Sequence, residues 1–219
     1  MFDSISGRYD LLNGVLSLGV DKLWRRALLR RAARQQPTCA LDVATGTGAL
    51  AIALKRSGAT RIVGVDISEK MLEAARKKPK SAGIEFVKAD GEQLPFKSGE
   101  FDVAAIAFGI RNFENIGRGL AEMKRVLRNG GTLLALELSL PSNPIVRGAY
   151  KLYFYGVLPL VGRLISRSAY AYRYLPLSVG EFPPREKFVE EVEKAGFTEA
   201  MATPLTLGIA TIYEAKKRG

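Results

Sequence analysis

The first half of the chain has glycines and carboxylates at the spacing of a site for an adenosine-bearing molecule. The stretch Cys39–Ala51, CALDVATGTGALA, reads as a short apolar strand, a turn with glycines at 46 and 48, and the start of a helix. Such a turn places backbone N–H groups where a nucleotide-like ligand can lie. A second apolar strand, RIVGVD, ends on Asp66, 20 residues after Gly46. An acid at this distance is typical of a residue that binds a ribose hydroxyl.

The glycines alone do not choose between two cofactors. The pattern Gly46-x-Gly48-x-x-Ala51 also fits the fingerprint of NAD-binding proteins. Asp42, however, precedes the turn, where a carboxylate favours an ammonium group and repels a pyrophosphate. Asp90 adds another acid after the third predicted strand, in the segment ADGE. Together with the acid that ends the second strand, these carboxylates favour the zwitterionic, sulfonium-bearing S-adenosylmethionine over a doubly anionic dinucleotide.

Composition restricts the chemistry that the chain can perform. There is no histidine, so the commonest general base and the commonest metal ligand are absent. With Cys39 as the only cysteine, the sequence also argues against a zinc site and against an internal disulfide, which favours a reducing compartment such as the cytoplasm. The formal net charge of +11 indicates anionic surroundings, or simply a solvated basic surface.

Strands and helices alternate along the chain. Strands are predicted at 39–44, 61–66, 84–88, 101–107, 132–138, 197–204 and 207–214. Helices are predicted within 3–34, at 48–56, from 68, across 114–128 and from 184 to 195. This alternation predicts an α/β fold with a doubly wound, mostly parallel seven-stranded sheet, and the last two strands, separated by so few residues, must pair as an antiparallel hairpin.

One domain, 1–219, is predicted, with an N-terminal helical lid at 1–36 and a substrate-side helical insert at 141–182. Within the insert, LYFYGVLPLVG at 152–162 is uncharged and apolar. The basic residues that flank it are Arg147, Lys151, Arg163 and Arg167. An apolar patch with a cationic rim suits contact with an anionic membrane, here at its inner, cytoplasmic face. It suits a homodimer interface or a buried helix equally well.

Several segments of the chain carry recognisable motifs. The predicted cofactor site contains LDVATGTG at 41–48, VDISEKML at 65–72 and ADGEQLPF at 89–96. The other segments are YDLLN at 9–13, within FDSISGRYDLLNGVLSLGVDKLW, FGIRN at 108–112, VLRNGGTLLALE at 126–137 and AYRYLPLSV at 171–179. Together these segments resemble the ubiquinone/menaquinone biosynthesis C-methyltransferase family. The cofactor segments occur in many methyltransferases, whereas YDLLN, FGIRN and AYRYLPLSV are more specific. The chain departs from the family's usual residues at Thr45, Ala49, Ala107 and Tyr170-Ala171.

This resemblance implies a Rossmann-like methyltransferase fold and methyl transfer from S-adenosylmethionine to a ring carbon of a prenylated quinol, such as demethylmenaquinol. Thr47 and Gly48, beside Gly46, would then line the methionine end of the cofactor. The ribose would be bound by Asp66, and the adenine would be flanked by Asp90 and Gly91. Tyr9 and Asn13 would lie on the N-terminal helix that folds over the cofactor.

Methyl transfer is an in-line displacement, so much of the catalysis can be positioning. A quinol carbon becomes a good nucleophile once a ring hydroxyl is deprotonated, and no histidine is available as the base. The loop after the fourth strand, at the sheet edge where ligands bind, carries Arg111 and Asn112. We expect Arg111 to stabilise the phenolate directly or by polarising a water, and Asn112 to orient a ring oxygen or the methionine carboxylate. Tyr172 and Tyr174 would line the ring pocket.

Three other functions stay open from the sequence. The chain could methylate a different lipid or a small aromatic compound, it could be an RNA-binding methyltransferase, or it could be an NAD-binding oxidoreductase. Only the positive charge suggests RNA, and the basic residues are spread through helices without a recognised RNA-binding appendage. Nucleic acid is therefore not the expected partner.

Overall fold

A seven-stranded sheet is the frame of the residues that the computed structural model describes, namely 17, 19–153, 156 and 178–219. The strands are β1 (Cys39–Val43), β2 (Arg61–Asp66), β3 (Glu85–Lys88), β4 (Phe101–Ala107), β5 (Leu127–Leu138), β6 (Thr198–Leu205) and β7 (Ala210–Lys216). Their order is β3-β2-β1-β4-β5-β7-β6, with parallel pairs from β3 to β5 and antiparallel pairs on both sides of β7. The predicted doubly wound sheet with a closing antiparallel hairpin is confirmed.

Helices cover both faces of this sheet. Those of the described residues are α1 (Asp21–Arg34), α2 (Ala49–Leu54), α3 (Glu69–Arg76), α4 (Ile116–Val126), α5 (Pro144–Leu152) and α6 (Arg185–Lys194). Leu28 of α1 and Leu50 of α2 share a buried cluster with Ala40 of β1. Leu120 of α4 and Phe188 of α6 belong to the cluster on the opposite face. Alternate residues of the strands enter alternate clusters because successive strand side chains point to opposite faces.

The ends of two helices show how local sequence sets the boundaries. Ser68 is the N-cap of α3, as predicted, and its hydroxyl accepts a hydrogen bond from Met71 N at 3.2 Å. The α4 helix ends at Val126, earlier than the predicted 128, because Leu127 already has extended backbone angles and begins β5. Gly130, with φ 78°, lies within β5 and not at the helix end as predicted.

The closing hairpin begins and ends slightly later than predicted. A short 3-10 turn, Thr206–Gly208, separates its strands, and Thr206 and Leu207 both have positive φ there. The predicted turn is present, but it is longer than predicted because Thr206–Gly208 form a 3-10 turn between the strands. Within it, Thr206 and Leu207 adopt the left-handed conformation that is usual for glycine.

Several predicted features lie outside the described residues, among them Tyr9, Asn13, Tyr172, Tyr174 and most of the 141–182 insert. The insert's beginning is described and forms α5. No helix among the described residues has the length and apolarity needed to cross a bilayer. The division of the chain into a lid at 1–36, an insert at 141–182 and one surrounding domain stays a prediction.

Candidate active site

A pocket lies at the carboxyl ends of β1, β2 and β4, where the chain order of the sheet reverses between β1 and β4. Ligands of doubly wound sheets bind at such switch points. The pocket brings together several of the predicted site residues, namely Gly46, Asp66, Asp90, Gly91 and Asn112. Residues from four separate segments thus meet at one edge of the sheet, as the alternating pattern predicts.

The glycine turn between β1 and α2 has a backbone that few residues can adopt. Ala44, Gly46 and Gly48 all have positive φ, at 52°, 55° and 77°. A Cβ on Gly48 would also lie 3.1 Å from both Ala75 Cβ and Phe86 Cζ, so the backbone conformation and the tight packing both favour glycine here. Thr47 is buried below the turn, where its carbonyl accepts a hydrogen bond from a lysine side chain. Thr47 and Gly48 shape the turn without lining the described pocket.

Asp42 holds the two sides of this turn together. Its side chain is 1% exposed, and Oδ2 accepts hydrogen bonds from Thr45 Oγ1 at 2.6 Å and from Ala51 N at 2.8 Å. Burial raises the pKa of Asp42 to about 7, against the lowering effect of those two hydrogen bonds and of the Arg25 charge. Asp42 is not among the residues that line the described pocket, and its predicted attraction for an ammonium group stays a prediction.

The raised pKa of Asp42 should make its contribution to stability fall as the pH rises. Between about pH 4 and 7 the folded protein keeps a proton on Asp42 that the unfolded chain has lost. Relative to Asp42→Asn, whose amide oxygen can accept the same two hydrogen bonds, the wild type should lose up to about 1.4 kcal/mol per pH unit in this window. Urea unfolding of both proteins from pH 4 to 8 measures the difference. Parallel stability curves would show that burial does not perturb this group.

Asp66 and Asp90 organise the loops at the pocket. Asp66 Oδ2 accepts a hydrogen bond from Gly46 N at 2.7 Å, and its Oδ1 accepts one from Ser68 N at 2.9 Å. Asp90 Oδ1 accepts one from Glu92 N at 2.9 Å. Each acid therefore fixes the backbone of its own loop, and Asp66 also ties the end of β2 to the glycine turn across the pocket.

Apolar side chains complete the pocket, and sequence reasoning missed them. Ile67, directly after Asp66, is 65% exposed, although an isoleucine gains by burial. Phe113 lies against the opposite loop, where a Cβ on Gly91 would come within 2.5 Å of its ring. An apolar residue following the strand-ending acid is a signal that could have indicated Ile67. Phe113 could not have been found, because its place depends on contacts between distant segments.

Phe108 connects α1 to the pocket. It has φ 60°, which is rare for a bulky residue, and it lines the pocket at the end of β4. Its ring lies 6.1 Å from the Trp24 ring, centroid to centroid, and 5.2 Å from the Arg25 guanidinium carbon. Backbone strain of this kind persists where surrounding contacts enforce it, and it is common at functional sites.

Arg111 is held in a buried ion pair. Its Nη1 donates to Glu137 Oε1 at 2.5 Å and to Phe108 O at 2.8 Å, while Nε donates to Ser178 Oγ at 3.3 Å. The side chains of Arg111 and Glu137 are 8% and 0% exposed. Its neighbour Asn112 lines the described pocket, whereas Arg111 does not. The predicted role of Arg111 toward a phenolate stays a prediction, and the structure adds a partner that sequence reasoning missed.

Burial raises the pKa of Glu137, although the positive charge of Arg111 and the bond from Leu138 N oppose the shift. The signal that could have found this residue is a single acid in an otherwise apolar strand, TLLALEL. A lone carboxylate in a buried strand needs a counter-ion or a proton. The sequence does not say which residue supplies the counter-ion.

A reversed-order α/β sheet with a closing antiparallel hairpin and a ligand pocket at its switch point is the architecture of a Rossmann-like methyltransferase. Solved structures agree on the fold. A putative methyltransferase from Bacillus halodurans superposes with a TM-score of 0.65 at 20% identity, covering 89% of this chain and 99% of that one. A SAM-dependent methyltransferase from Aquifex aeolicus gives 0.60 at 16% identity, covering 82% of each.

Sequence comparison narrows this class to one family. The profile of the ubiE/COQ5 methyltransferase family matches residues 1–217, and the chain belongs to that family. It is 46% identical to the demethylmenaquinone methyltransferase of Deinococcus radiodurans, covering 100% of this chain and 91% of that protein. It is 45% identical to the ubiquinone/menaquinone biosynthesis C-methyltransferase UbiE of Citrifermentans bemidjiense, covering 99% and 94%. The resemblance identified in the sequence is confirmed.

Proposed function

We propose that this protein transfers a methyl group from S-adenosylmethionine to a ring carbon of a prenylated quinol such as demethylmenaquinol. Membership of the ubiE/COQ5 methyltransferase family supports the reaction class. The names of the relatives in Deinococcus radiodurans and Citrifermentans bemidjiense support a quinone precursor as the acceptor.

The charge of the pocket is the observation that carries the choice of cofactor. Four carboxylates are among its described lining residues, Asp66, Asp90, Glu92 and Glu114, and no lysine or arginine is among them. A pyrophosphate would be repelled by this surface, whereas a ligand with a sulfonium and an ammonium group would be attracted. The described lining residues therefore fit S-adenosylmethionine better than a dinucleotide.

The chain's own residues would divide the ligand between them. Asp66 would accept hydrogen bonds from the ribose, and the loop of Asp90 and Gly91 would meet the adenine edge. Ile67 and Phe113 offer apolar surface to the adenine faces. The bound cofactor supplies a methyl group on positively charged sulfur. Asn112, which lines the same pocket, would orient the acceptor's ring oxygen or the methionine carboxylate.

Binding measurements test the cofactor directly. S-adenosylhomocysteine and NAD should be titrated separately into the purified protein by calorimetry. We expect S-adenosylhomocysteine to bind at least about 100-fold more tightly than NAD, because the carboxylates of the pocket repel a pyrophosphate. This ratio corresponds to a difference of about 2.7 kcal/mol in binding free energy. Equal or tighter binding of NAD would contradict the assignment.

We also propose that α5 contacts an anionic membrane, from which a prenyl-tailed substrate would be taken. Ile145 and Leu152 lie seven residues apart, hence on one face of the helix, and are 81% and 72% exposed. Arg147 and Lys151 lie on the same helix. Exposed apolar side chains beside cations suit the interface of an anionic bilayer.

Vesicle flotation tests this contact. The double variant Ile145→Ser/Leu152→Ser should lose most of its binding to vesicles that contain phosphatidylglycerol, because it removes the apolar part of the contact. Met201→Ser, at another exposed apolar position, on β6, serves as the matched control. Unchanged flotation together with an altered oligomeric state in size-exclusion chromatography would identify the face as a subunit interface instead.

A further inference from the structure

Glu137 is a buried acid, and burial of a carboxylate carries a desolvation penalty that lowers the stability of the fold. It lies near the carboxyl end of β5, opposite Thr211 of β7, and is 0% exposed. Its Oε1 accepts hydrogen bonds from Arg111 and from Leu138 N, the latter at 2.8 Å. Its Oε2 is also buried and has no hydrogen-bond partner among the described residues. A buried carboxylate oxygen without a donor is unfavourable, and natural proteins retain few of them.

Among the described residues, Glu137 has one direct counter-ion, Arg111. Arg111, on the turn after β4, is fixed by the carboxylate, by Phe108 O and by Ser178. Tyr213 lies two residues along β7 from Thr211, the residue opposite Glu137, and its hydroxyl is buried. Burial raises the pKa of this hydroxyl to about 12, against the lowering effects of the Arg185 charge and of the Thr211 hydroxyl. That hydroxyl therefore stays neutral at physiological pH.

Two more charged groups of the described part of the chain face the same region of β7, and both come from α6. Arg185 donates from Nε to Thr211 Oγ1 at 3.3 Å, so it faces the start of β7. Arg185 and Glu186 both act electrostatically on Tyr213, with opposite effects on its pKa. Neither residue makes a hydrogen bond or ion pair with Glu137 in the described contacts. Of the residues that the structure describes, Arg111 is therefore the main one that favours the ionised state of Glu137.

We propose that Glu137 holds the proton that the acceptor's ring hydroxyl gives up during methyl transfer, and so frees the charge of Arg111 for the phenolate. This inference rests on the proposed function. The ring O–H bond breaks, its electron pair stays on the ring oxygen, and the proton passes through water to Oε2. Because Glu137 acts through Arg111 and water, it is a positioning residue and does not itself touch the ring.

The remaining steps balance in atoms and charge. A bond forms between the ring carbon and the methyl carbon, and the methyl–sulfur bond breaks with its electron pair left on sulfur. The hydrogen on the methylated ring carbon then leaves to solvent as a proton, which restores the aromatic ring. Glu137 returns its proton to the ring oxygen. One proton is released in each turnover, and the enzyme regains its starting state.

In this arrangement Glu137 takes the place of the missing histidine base. No histidine is present to act as the base. A carboxylate is ordinarily too weak a base for a phenol, but burial makes Glu137 more basic, and Arg111 stabilises the phenolate that remains. During the transfer one negative charge moves from Glu137 to the ring oxygen, on the other side of a fixed positive charge. The net charge of the site does not change, so little reorganisation is required.

The variant Glu137→Gln tests the proposal, because glutamine keeps the shape and an acceptor oxygen for Arg111 but cannot take up a proton. We expect kcat for a demethylmenaquinol to fall at least about 100-fold, with KM and S-adenosylhomocysteine affinity nearly unchanged. The wild-type rate should rise with pH along one ionisation, and this limb should disappear in the variant. Glu137→Asp should recover part of the activity. Glu214→Gln, another strand glutamate that pairs with an arginine, is the matched control.

Two results would overturn the proposal. One is a kcat within about 3-fold of wild type. The other is a loss that is equal at every pH with the ionisation limb intact, which is the behaviour of a purely structural residue. If Glu137→Gln does not fold, the same profile is measured on Glu137→Asp, whose ionisation limb should shift in pH. An unshifted limb then contradicts the role.

An acceptor with a more acidic ring hydroxyl supplies an independent readout. Such a substrate needs less help with deprotonation, so the difference between wild type and Glu137→Gln should shrink by at least about tenfold. A constant ratio would contradict the role. Failure of the wild type to methylate any quinol would instead contradict the proposed function, which separates the two claims.

Discussion

Replacing Arg111 by methionine is expected to lower the free energy of unfolding by about 3–5 kcal/mol at neutral pH, the usual cost of breaking a buried ion pair from one side. The variant removes the guanidinium that donates to Glu137 Oε1 and leaves the carboxylate fully buried without its counter-ion. It also removes the donor to Phe108 O. Methionine fills a similar apolar volume, so the packing loss is the smaller part.

The loss should depend on pH in a definite direction. Burial already raises the pKa of Glu137, and without Arg111 it should rise further. The folded variant then holds a proton that the unfolded chain releases, so its stability is greatest at acid pH and falls as the pH rises. Urea unfolding at pH 5 and pH 8 should therefore show a larger difference from wild type at pH 8.

A double-mutant cycle measures the interaction energy between Arg111 and Glu137. Arg111→Met/Glu137→Leu replaces both charges by apolar groups and should be more stable than Arg111→Met alone, because no unpaired charge remains. Glu214→Leu, combined with Arg111→Met, is the control, since Glu214 pairs with Arg31 and not with Arg111. Strict additivity of the first double variant, or a single-variant loss below about 0.5 kcal/mol, would show that the two charges do not depend on each other.

Replacing Asp66 by alanine is expected to weaken S-adenosylhomocysteine binding about 100-fold, or about 2.7 kcal/mol. An ionised carboxylate can accept about four hydrogen bonds, so Asp66 can hold backbone N–H groups and ribose hydroxyls together. Alanine loses the bonds to Gly46 N and Ser68 N and any bond to the ribose. Hydrogen bonds to charged groups contribute about 1.5–3 kcal/mol each, so the loss of one ribose contact and the loosened turn account for the expected effect.

Calorimetric titration of the variant with S-adenosylhomocysteine measures this loss. Glu73→Ala removes one negative charge from an exposed position on the neighbouring helix α3 and should leave the affinity within about 2-fold of wild type. An Asp66→Ala protein that binds with wild-type affinity would show that the ribose lies elsewhere. Similar losses in both variants would mean that only the overall charge matters.

Much of the fold follows from periodicity. Apolar runs such as FDVAAIA define strands, and their alternation with amphipathic helices permits few topologies other than the doubly wound sheet. The acids at the strand ends were predictable for the same reason, because carboxyl ends of parallel strands share one edge. Boundaries were less predictable. The turn at Thr206–Gly208 depends on residues other than glycine held at positive φ by the surrounding structure.

The hydrogen-bond and ion-pair partners of Arg111 and Asp42 were not predictable from the sequence. Arg111 was found through its motif, but nothing in the sequence pairs it with Glu137, 26 residues later in an apolar strand. Asp42 shows the same limit. Its position before the turn suggested a ligand contact, whereas in the fold its oxygen bonds to Thr45 and Ala51 and its pKa rises to about 7. Burial and pairing between distant segments decide such roles, and neither has a local sequence signature.

Methyl transfer to a defined acceptor tests the central claim most directly. The purified protein is incubated with methyl-labelled S-adenosylmethionine and reduced demethylmenaquinone in detergent micelles, and in parallel with unfractionated tRNA. The lipid is then analysed by mass spectrometry. We expect one labelled methyl on a ring carbon of the quinol and no label in tRNA. Label in tRNA, or no methylated quinol from a protein that binds S-adenosylhomocysteine, would contradict the proposed function.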